Sequence, residues 1–268
     1  MRILSLNAWG GRIHNPLLKY LGSTKADILC LQEVVRTSGQ PHGWLTYRDG
    51  DLRLPQRSNL FDEIRALLPA HRAQFFPVAR GLLHDDYGRE IWSEFGLATF
   101  VRESYATIGE ALGFVHGAFT PDSWGEHPRA RNAHCVRVFD PDSGLYATIA
   151  QMHGLRDPAG KGDTPARAEQ SMRLVKLIES VWPGDERLVV CGDFNLLPQS
   201  STFARLATLG LSDLVTGRGY TDTRTSFYEK EGRFADYMLV NDRVDVVGFE
   251  VVADPEVSDH RPLLLKLR

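Results

Sequence analysis

The chain has 268 residues, 43% of them hydrophobic and 24% charged, which is the composition of a folded globular protein and excludes a disordered one. A net charge of −3 and an isoelectric point near 6.3 exclude a surface that grips long duplexes through many phosphates, so an anionic partner must meet a local patch or be small. No apolar run reaches the roughly 18 residues of a membrane helix, and polar Asn7 interrupts the first residues before any signal-like apolar stretch can form.

In chain order, residues 2–7 form a short strand ending in Asn7, with Trp9-Gly10-Gly11 as the turn beyond. A helix over 16–21 has Pro16 in its first turn. A strand over 26–33 is apolar enough to be buried on both faces and ends in Glu33, a carboxylate that is costly there unless it meets solvent or a cation. Residues 37–56, rich in Gly, Pro and Arg, read as a loop. Ser58 is expected to cap a helix reaching Leu68, with Leu60, Phe61, Ile64, Leu67 and Leu68 on one face. Residues 74–78 read as an edge strand because Pro77 removes a donor. A second polar loop spans 81–92. Residues 95–101 and 105–115 then read as an antiparallel pair, and 119–130 as a third long loop with Trp124 and His127.

Residues 132–139 and 145–152 predict a hairpin whose second strand runs into His153. A loop over 157–163 precedes a helix over 166–181 with Met172, Val175, Leu177, Ile178 and Val181 as its apolar side. The apolar run from Arg187 to Cys191 is then broken by Gly192 before Asp193 and Asn195. Open α/β sheets build their sites at such strand ends. Asp193 can take a proton or order a water, and Asn195 can offer an N–H to an oxyanion. A short helix over 201–209, an irregular stretch over 217–232, strands over 234–240 and 244–252, the Ser258-Asp259-His260 loop and a last strand over 262–267 complete the chain. The economical arrangement is two mixed sheets packed face to face with helices outside, as one domain over 1–268. Cys30, Cys135 and Cys191 sit in apolar runs without metal-ligand spacing and read as core thiols. Their odd number suits a reducing, cytoplasmic location.

Taken singly, the polar strand ends have plain readings: a polar turn at 192–195, a surface acid at Glu33, a loop histidine at His153. Asp236, set among Phe234, Tyr237 and Met238, is harder to dismiss, because a buried strand acid needs a partner and His260 is the candidate. Together they repeat one pattern, a strand that ends in a metal- or phosphate-competent group. Glu33 and Asp259 with amide oxygens make a hard-oxygen set suited to Mg2+, and the thiolates and clustered histidines of a zinc site are missing. Walker, dinucleotide-binding and Gly-x-Ser-x-Gly motifs are also missing.

Leu6-Asn7, Leu31-Gln32-Glu33-Val34, Met152-His153-Gly154-Leu155, Gly192-Asp193-Phe194-Asn195, Ala235-Asp236-Tyr237 and Ser258-Asp259-His260-Arg261-Pro262 occur in that order. In these six motifs the chain resembles the endonuclease/exonuclease/phosphatase superfamily from end to end. The resemblance implies an α/β (α+β) fold, the four-layer αββα sandwich of deoxyribonuclease I-like proteins, and Mg2+-dependent phosphoester hydrolysis with Mn2+ as a substitute. It implies that Asn7 and Glu33 hold the metal, with Asp259 helping from the opposite side. Asp193 would orient or deprotonate the attacking water, and Asn195 would hold the phosphate. His260, paired with Asp236, would contact the phosphate or act as base, and its pKa would rise through that pairing. His153 would serve the leaving group or the transition state. Arg131 resembles a phosphate-binding arginine, and Glu94 a residue that orients His153.

The six motifs leave the substrate open. A nucleic acid or nucleotide-like diester is the first reading, supported by His153, Arg131 and the arginines Arg36, Arg48, Arg53 and Arg57 that follow Glu33. The alternative is a small phosphorylated metabolite or lipid head group, supported by the acidic isoelectric point and by Trp44, Trp92 and Trp124 on loops that can wall a pocket. A non-catalytic binding protein is the third reading. No protein partner is inferred.

Overall fold

The computed structural model describes residues 1–39 and 43–268. Strand β1 (Arg2–Asn7) leads through helix α1 (His14–Ser23) to β2 (Ile28–Arg36), which lies parallel to it with Asn7 opposite Gln32. There follow β3 (Trp44–Asp49), β4 (Leu52–Arg57), α2 (Leu60–Leu67), β5 (His71–His84), β6 (Glu90–Arg102), β7 (Ala106–His116), β8 (Arg131–Asp140) and β9 (Leu145–His153). Helix α3 (Pro165–Glu179) carries the chain to β10 (Arg187–Asp193), parallel to β9. The remainder is α4 (Ser201–Leu206), β11 (Ser212–Asp213), α5 (Leu214–Gly217), β12 (Asp236–Val240), β13 (Val246–Val251) and β14 (Leu263–Leu267). Among the described residues, one sheet runs β13-β14-β1-β2-β6-β5-β3-β4 and the other β11-β12-β10-β9-β8-β7. No helix among them is long and apolar enough to cross a membrane.

Period-two alternation explains the layers. On β1 and β2, Leu4, Leu6, Leu29 and Leu31 join Leu17 and Leu21 of α1 and Leu60 and Ile64 of α2 in one buried cluster. Ile3, Ile28 and Cys30 point the other way, into a cluster with Ile149, Val189 and Cys191 of the second sheet, whose far side receives Leu174 and Ile178 of α3. The result is the expected helix–sheet–sheet–helix sandwich. The three cysteines are free and buried.

Several expectations meet a different structure. Residues 44–57 form the β3–β4 hairpin, and of the expected 37–56 loop residues 40–42 lie outside the described ones. Residues 81–92 mostly belong to the long β5–β6 hairpin, with only the tip left as a turn. Both hairpins are polar because they project to solvent, which hides strand periodicity. The strand bearing Pro77 stands between β6 and β3 in the sheet order, but β3 pairs with it only at Thr46 and His84, so among the described residues its strand neighbour at Pro77 is β6 alone, as the edge reading expected. Residues 95–101 and 105–115 do not pair: β6 joins the first sheet and β7 the second, so the turn between them is a crossover. At α2, Asn59 rather than Ser58 occupies the cap position, without a side-chain cap bond, and Leu67 is 37% exposed. Met172 likewise faces solvent.

One glycine sets how closely the site strands approach. Gly192 has φ 135°, and a Cβ there would lie 2.0 Å from the Met152 carbonyl oxygen on β9. Gly192→Ala is therefore expected to destabilise the fold by about 3 kcal/mol or more, backbone strain and clash combined. Thermal melting checks this, and an unchanged midpoint would refute it.

Candidate active site

The parallel strands β1, β2, β9 and β10 end together at one edge of the sandwich. Asn7 ends β1, His153 ends β9, and Asp193 ends β10 in register with both His153 and Asp236. Asp193 shares the parity of Val189 and Cys191 and so faces the other sheet, where Asn7 Nδ2 donates to its Oδ2 at 3.0 Å. Strict alternation would turn Glu33 with Leu29 and Leu31 toward the helices. Instead the β2–β6 register shifts between Leu31 and Val34, and Glu33 takes φ 55°. This strained bulge delivers its carboxylate to the cleft. Asn195 has a similar φ of 53°.

Asp193 is the hub. Its Oδ1 accepts the Asn195 backbone N–H at 3.0 Å, and its Oδ2 lies 3.7 Å from both His153 Nε2 and His260 Nε2. His153 Nε2 is also 3.8 Å from Glu33 Oε1. His260 Nδ1 faces Asp236, 2.8 Å from Oδ2 and 3.0 Å from Oδ1, which leaves Nε2 toward Asp193. Ser258 Oγ donates to the Asn7 carbonyl at 2.7 Å and accepts the His260 N–H at 3.2 Å, tying the last loop to β1. Arg131 is buried; its Nε donates to the Gly154 carbonyl at 2.9 Å and its Nη1 to that of Ala130 at 3.1 Å. The sequence-derived residues thus meet, apart from Glu94. That residue lies on β6 opposite Arg36 and Arg80 and makes no hydrogen bond to His153, whose neighbour is the Phe95 ring at 6.4 Å.

Two arginines were missed. Arg224, from the irregular stretch, donates Nη1 to Asp259 Oδ2 at 2.9 Å, touches His260 Nε2 and lies 4.3 Å over the Tyr228 ring. Arg167 of α3 is buried, and its Nη2 binds the carbonyls of Leu155, Gly160 and Asn195, so it pins the loops after His153 and Asp193. Neither carries a local signal, because an arginine on a helix or loop ordinarily reads as solvated.

Burial dominates the electrostatics. It pushes Asp236 up to about 7, against Arg224, and pushes His260 down to about 4, helped by Arg224, so each member of the pair favours its neutral form. The expected rise at His260 is overturned: the cost of burying a charge beside a guanidinium exceeds the benefit of the carboxylate. Burial, then Arg131 and His260, push His153 well below its usual range. Glu33 is raised by burial and then by Asp193, and Asp259 by burial with Glu33 and Asp193 adding to it.

Those mutually repelling oxygens test the metal expectation. Glu33, Asp193 and Asp259 crowd carboxylates into one cleft, and Asn7 Oδ1, which accepts only the Trp9 N–H at 3.0 Å, keeps a lone pair free. A hard divalent cation fits such a donor set. Asp193, Asp236 and His260 also offer atoms within 4.8 Å of one another. There, however, His260 Nδ1 is committed to Asp236.

Beside Glu33 and Arg131 a pocket of about 150 Å³ opens between the β3–β4 hairpin and the loop before β8, with Tyr47, Leu54, Leu83, Phe95 and Trp124 in its walls. Trp44 and Trp92 do not line it; they stack under Arg57 and Arg80.

Fold and site together define a phosphoester hydrolase. The model of the endonuclease/exonuclease/phosphatase family matches residues 4–260, and the chain belongs to that family. A search of curated proteins found no match. Among solved structures the chain is similar to a mannosyl-6-phosphatase from Bacteroides thetaiotaomicron, at a TM-score of 0.69 and 16% identity, covering 100% of this chain and 99% of that one. It is similar to an endonuclease/exonuclease/phosphatase from Bacteroides vulgatus (TM-score 0.68, 18% identity, 100% and 98% covered). It is also similar to the catalytic domain of human nocturnin with a bound sulfate anion (TM-score 0.64, 18% identity, 100% and 93% covered). At these identities the likeness establishes the fold.

Proposed function

We propose that the protein hydrolyses a phosphoester of a small molecule with the help of a divalent cation, Mg2+ or in its place Mn2+. The observation that carries this reading is the convergence of Asn7, His153 and His260 on one oxygen of Asp193, beside a walled pocket that shares Glu33 and Arg131 with the site. Asn7, Glu33 and Asp259 would hold the cation, which when bound supplies Lewis-acid stabilisation of charge on the phosphate.

The protein's own groups do the rest. Asp193 Oδ2 takes the proton of the attacking water. Asn195 Nδ2, whose bond to the Gly154 carbonyl is long at 3.4 Å, turns an N–H to a phosphate oxygen. Arg131 keeps guanidinium N–H groups beyond its two carbonyl bonds for the same anion. Asp236 fixes the His260 ring so that Nε2 faces the reacting atoms.

His153 is held neutral, so it acts as an N–H donor to the developing charge. His153→Ala is expected to lower kcat by about 10²–10³-fold, equally for nitrophenyl and alkyl esters. A loss concentrated on alkyl esters would make it a leaving-group acid instead.

The substrate reading departs from nucleic acid for two reasons. The pocket is walled on several sides, and three of the four arginines after Glu33 are engaged elsewhere: Arg57 pairs with Glu63, Arg36 with Asp62, and Arg53 binds carbonyls of its own hairpin. The free, buried thiols support a reducing, cytoplasmic location. The test is turnover of nitrophenyl phosphate mono- and diesters beside plasmid DNA and RNA, in Mg2+ at rising salt. Small-ester turnover with weak salt dependence is expected. Polymer cleavage that falls steeply with salt would overturn the small-molecule reading.

A further inference from the structure

The pocket beside Glu33 and Arg131 carries more information than its presence. Its volume of about 150 Å³ is that of an apolar cavity able to hold one benzene-sized ring. Its apolar lining is Leu54, Val78, Leu83, Phe95 and two aromatic walls, among others. Both walls are locked with their polar ends committed. The Trp124 indole N–H donates to the Leu82 carbonyl at 2.9 Å, and its ring packs on Gly81, where a Cβ would lie 2.5 Å from the ring. The Tyr47 hydroxyl donates to Asp49 Oδ2 at 2.9 Å and accepts from Arg129 Nη2 at 2.6 Å. The two rings meet edge-on, at 6.0 Å and 70°. What they present inward is carbon, in fixed positions.

The rest of the lining has the opposite character. Arg129, Arg131, Arg156 and His127 belong to it, with Arg131 buried and Arg156 exposed. Burial and these three arginines lower the His127 pKa, a sign of how positive this part of the lining is. Asp49 and Glu33 offset Arg129 and Arg131 in part. An apolar lining beside a cationic one matches a molecule whose flat, weakly polar ring is joined within a bond or two to phosphate.

We infer that this pocket seats the organic group of the substrate, and that this group is a single aromatic ring, so the substrate class is an aryl phosphoester. The inference rests on the hydrolase reading above and adds the identity of the group beside the phosphate. Rigid walls discriminate against a bare alkyl phosphate, which leaves the slot hydrated, and against a polymer, which cannot enter it.

The test compares phenylphosphonate with methylphosphonate, neither of which has a P–O–C bond to cleave, by calorimetric titration in Mg2+. Phenylphosphonate is expected to bind about ten- to a hundredfold more tightly, the factor that burial of a phenyl-sized group provides. Trp124→Ala should collapse that ratio. Leu54→Trp, a change on the half-buried hairpin that fills the slot, should do the same while methylphosphonate still binds. A wild-type ratio near one, or no phosphonate binding, overturns the inference. If metal-dependent turnover of nitrophenyl esters persists in that case, only the ring pocket falls; if turnover is also missing, the hydrolase reading falls with it.

Discussion

Replacing Asp193 with asparagine is expected to cut turnover of bis(p-nitrophenyl) phosphate by about 10³–10⁴-fold, the upper range for loss of a general base. Both carboxylate oxygens of Asp193 are acceptors, Oδ1 for the Asn195 N–H and Oδ2 for Asn7 Nδ2, and the two histidine Nε2 atoms stand 3.7 Å from Oδ2. An amide is nearly the same shape but has one acceptor and no basic oxygen. It can satisfy one of those donors and must leave the other unpaired, at a further cost of about 1–3 kcal/mol in stability. The expected result is a folded variant with a lowered melting midpoint, a KM close to wild type and almost no kcat. Turnover within tenfold of wild type would remove Asp193 from the base role and move attention to His260.

The second large effect concerns Glu33. EDTA should abolish turnover, and Mg2+ or Mn2+ should restore it. Glu33→Gln should raise the cation concentration needed for half-maximal activity by about 100-fold or more, since even outer-shell losses cost 10–100-fold. The same substitution has an opposite effect on the metal-free protein. Burial and Asp193 hold the Glu33 pKa above its ordinary value, so the ionised carboxylate opposes folding at neutral pH. A raised carboxyl pKa carries that penalty above its unfolded value and sheds it as pH falls toward about 4.3. Metal-free Glu33→Gln should therefore melt higher than wild type at pH 7, with the difference closing on acidification. Wild type alone should gain stability when Mg2+ is added. An equal gain in both proteins would place the cation elsewhere.

The two experiments separate the groups that handle protons from those that hold charge. Loss of Asp193 is read in kcat at saturating cation, and loss of Glu33 in the cation dependence itself. Arg224 joins the two sets, because it contacts both Asp259 and His260. That arginine holds a positive charge where Asp259 and His260 meet.

Asn7, Glu33, His153, Asp193, Asp236 and His260 could be found from the sequence because each stands at the end of an apolar run or beside one. Period and hydrophobicity alone reveal such positions, and strand ends on one edge of a sandwich must come together. The buried cysteines and the layer order were legible for the same reason. Arg167 and Arg224 were not, because their partners are backbone carbonyls and acids far away in the chain. Glu94 makes no hydrogen bond to His153, because a residue adjacent to Phe95 need not share its face. The pairing of 95–101 with 105–115 failed because a short turn between two apolar runs does not tell a hairpin from a crossover between packed sheets.

The sequence by itself determined the sandwich and the strand-end chemistry, since both follow from local alternation and from which polar residues interrupt it. Only the tertiary structure decided how Glu33 turns into the cleft through its bulge, and that His260 is held toward neutrality beside Arg224. It also decided that the polar stretch after Glu33 is a hairpin closing one side of a ring-sized pocket. These depend on register, burial and contacts between distant segments, and such quantities come into being only when the chain is packed.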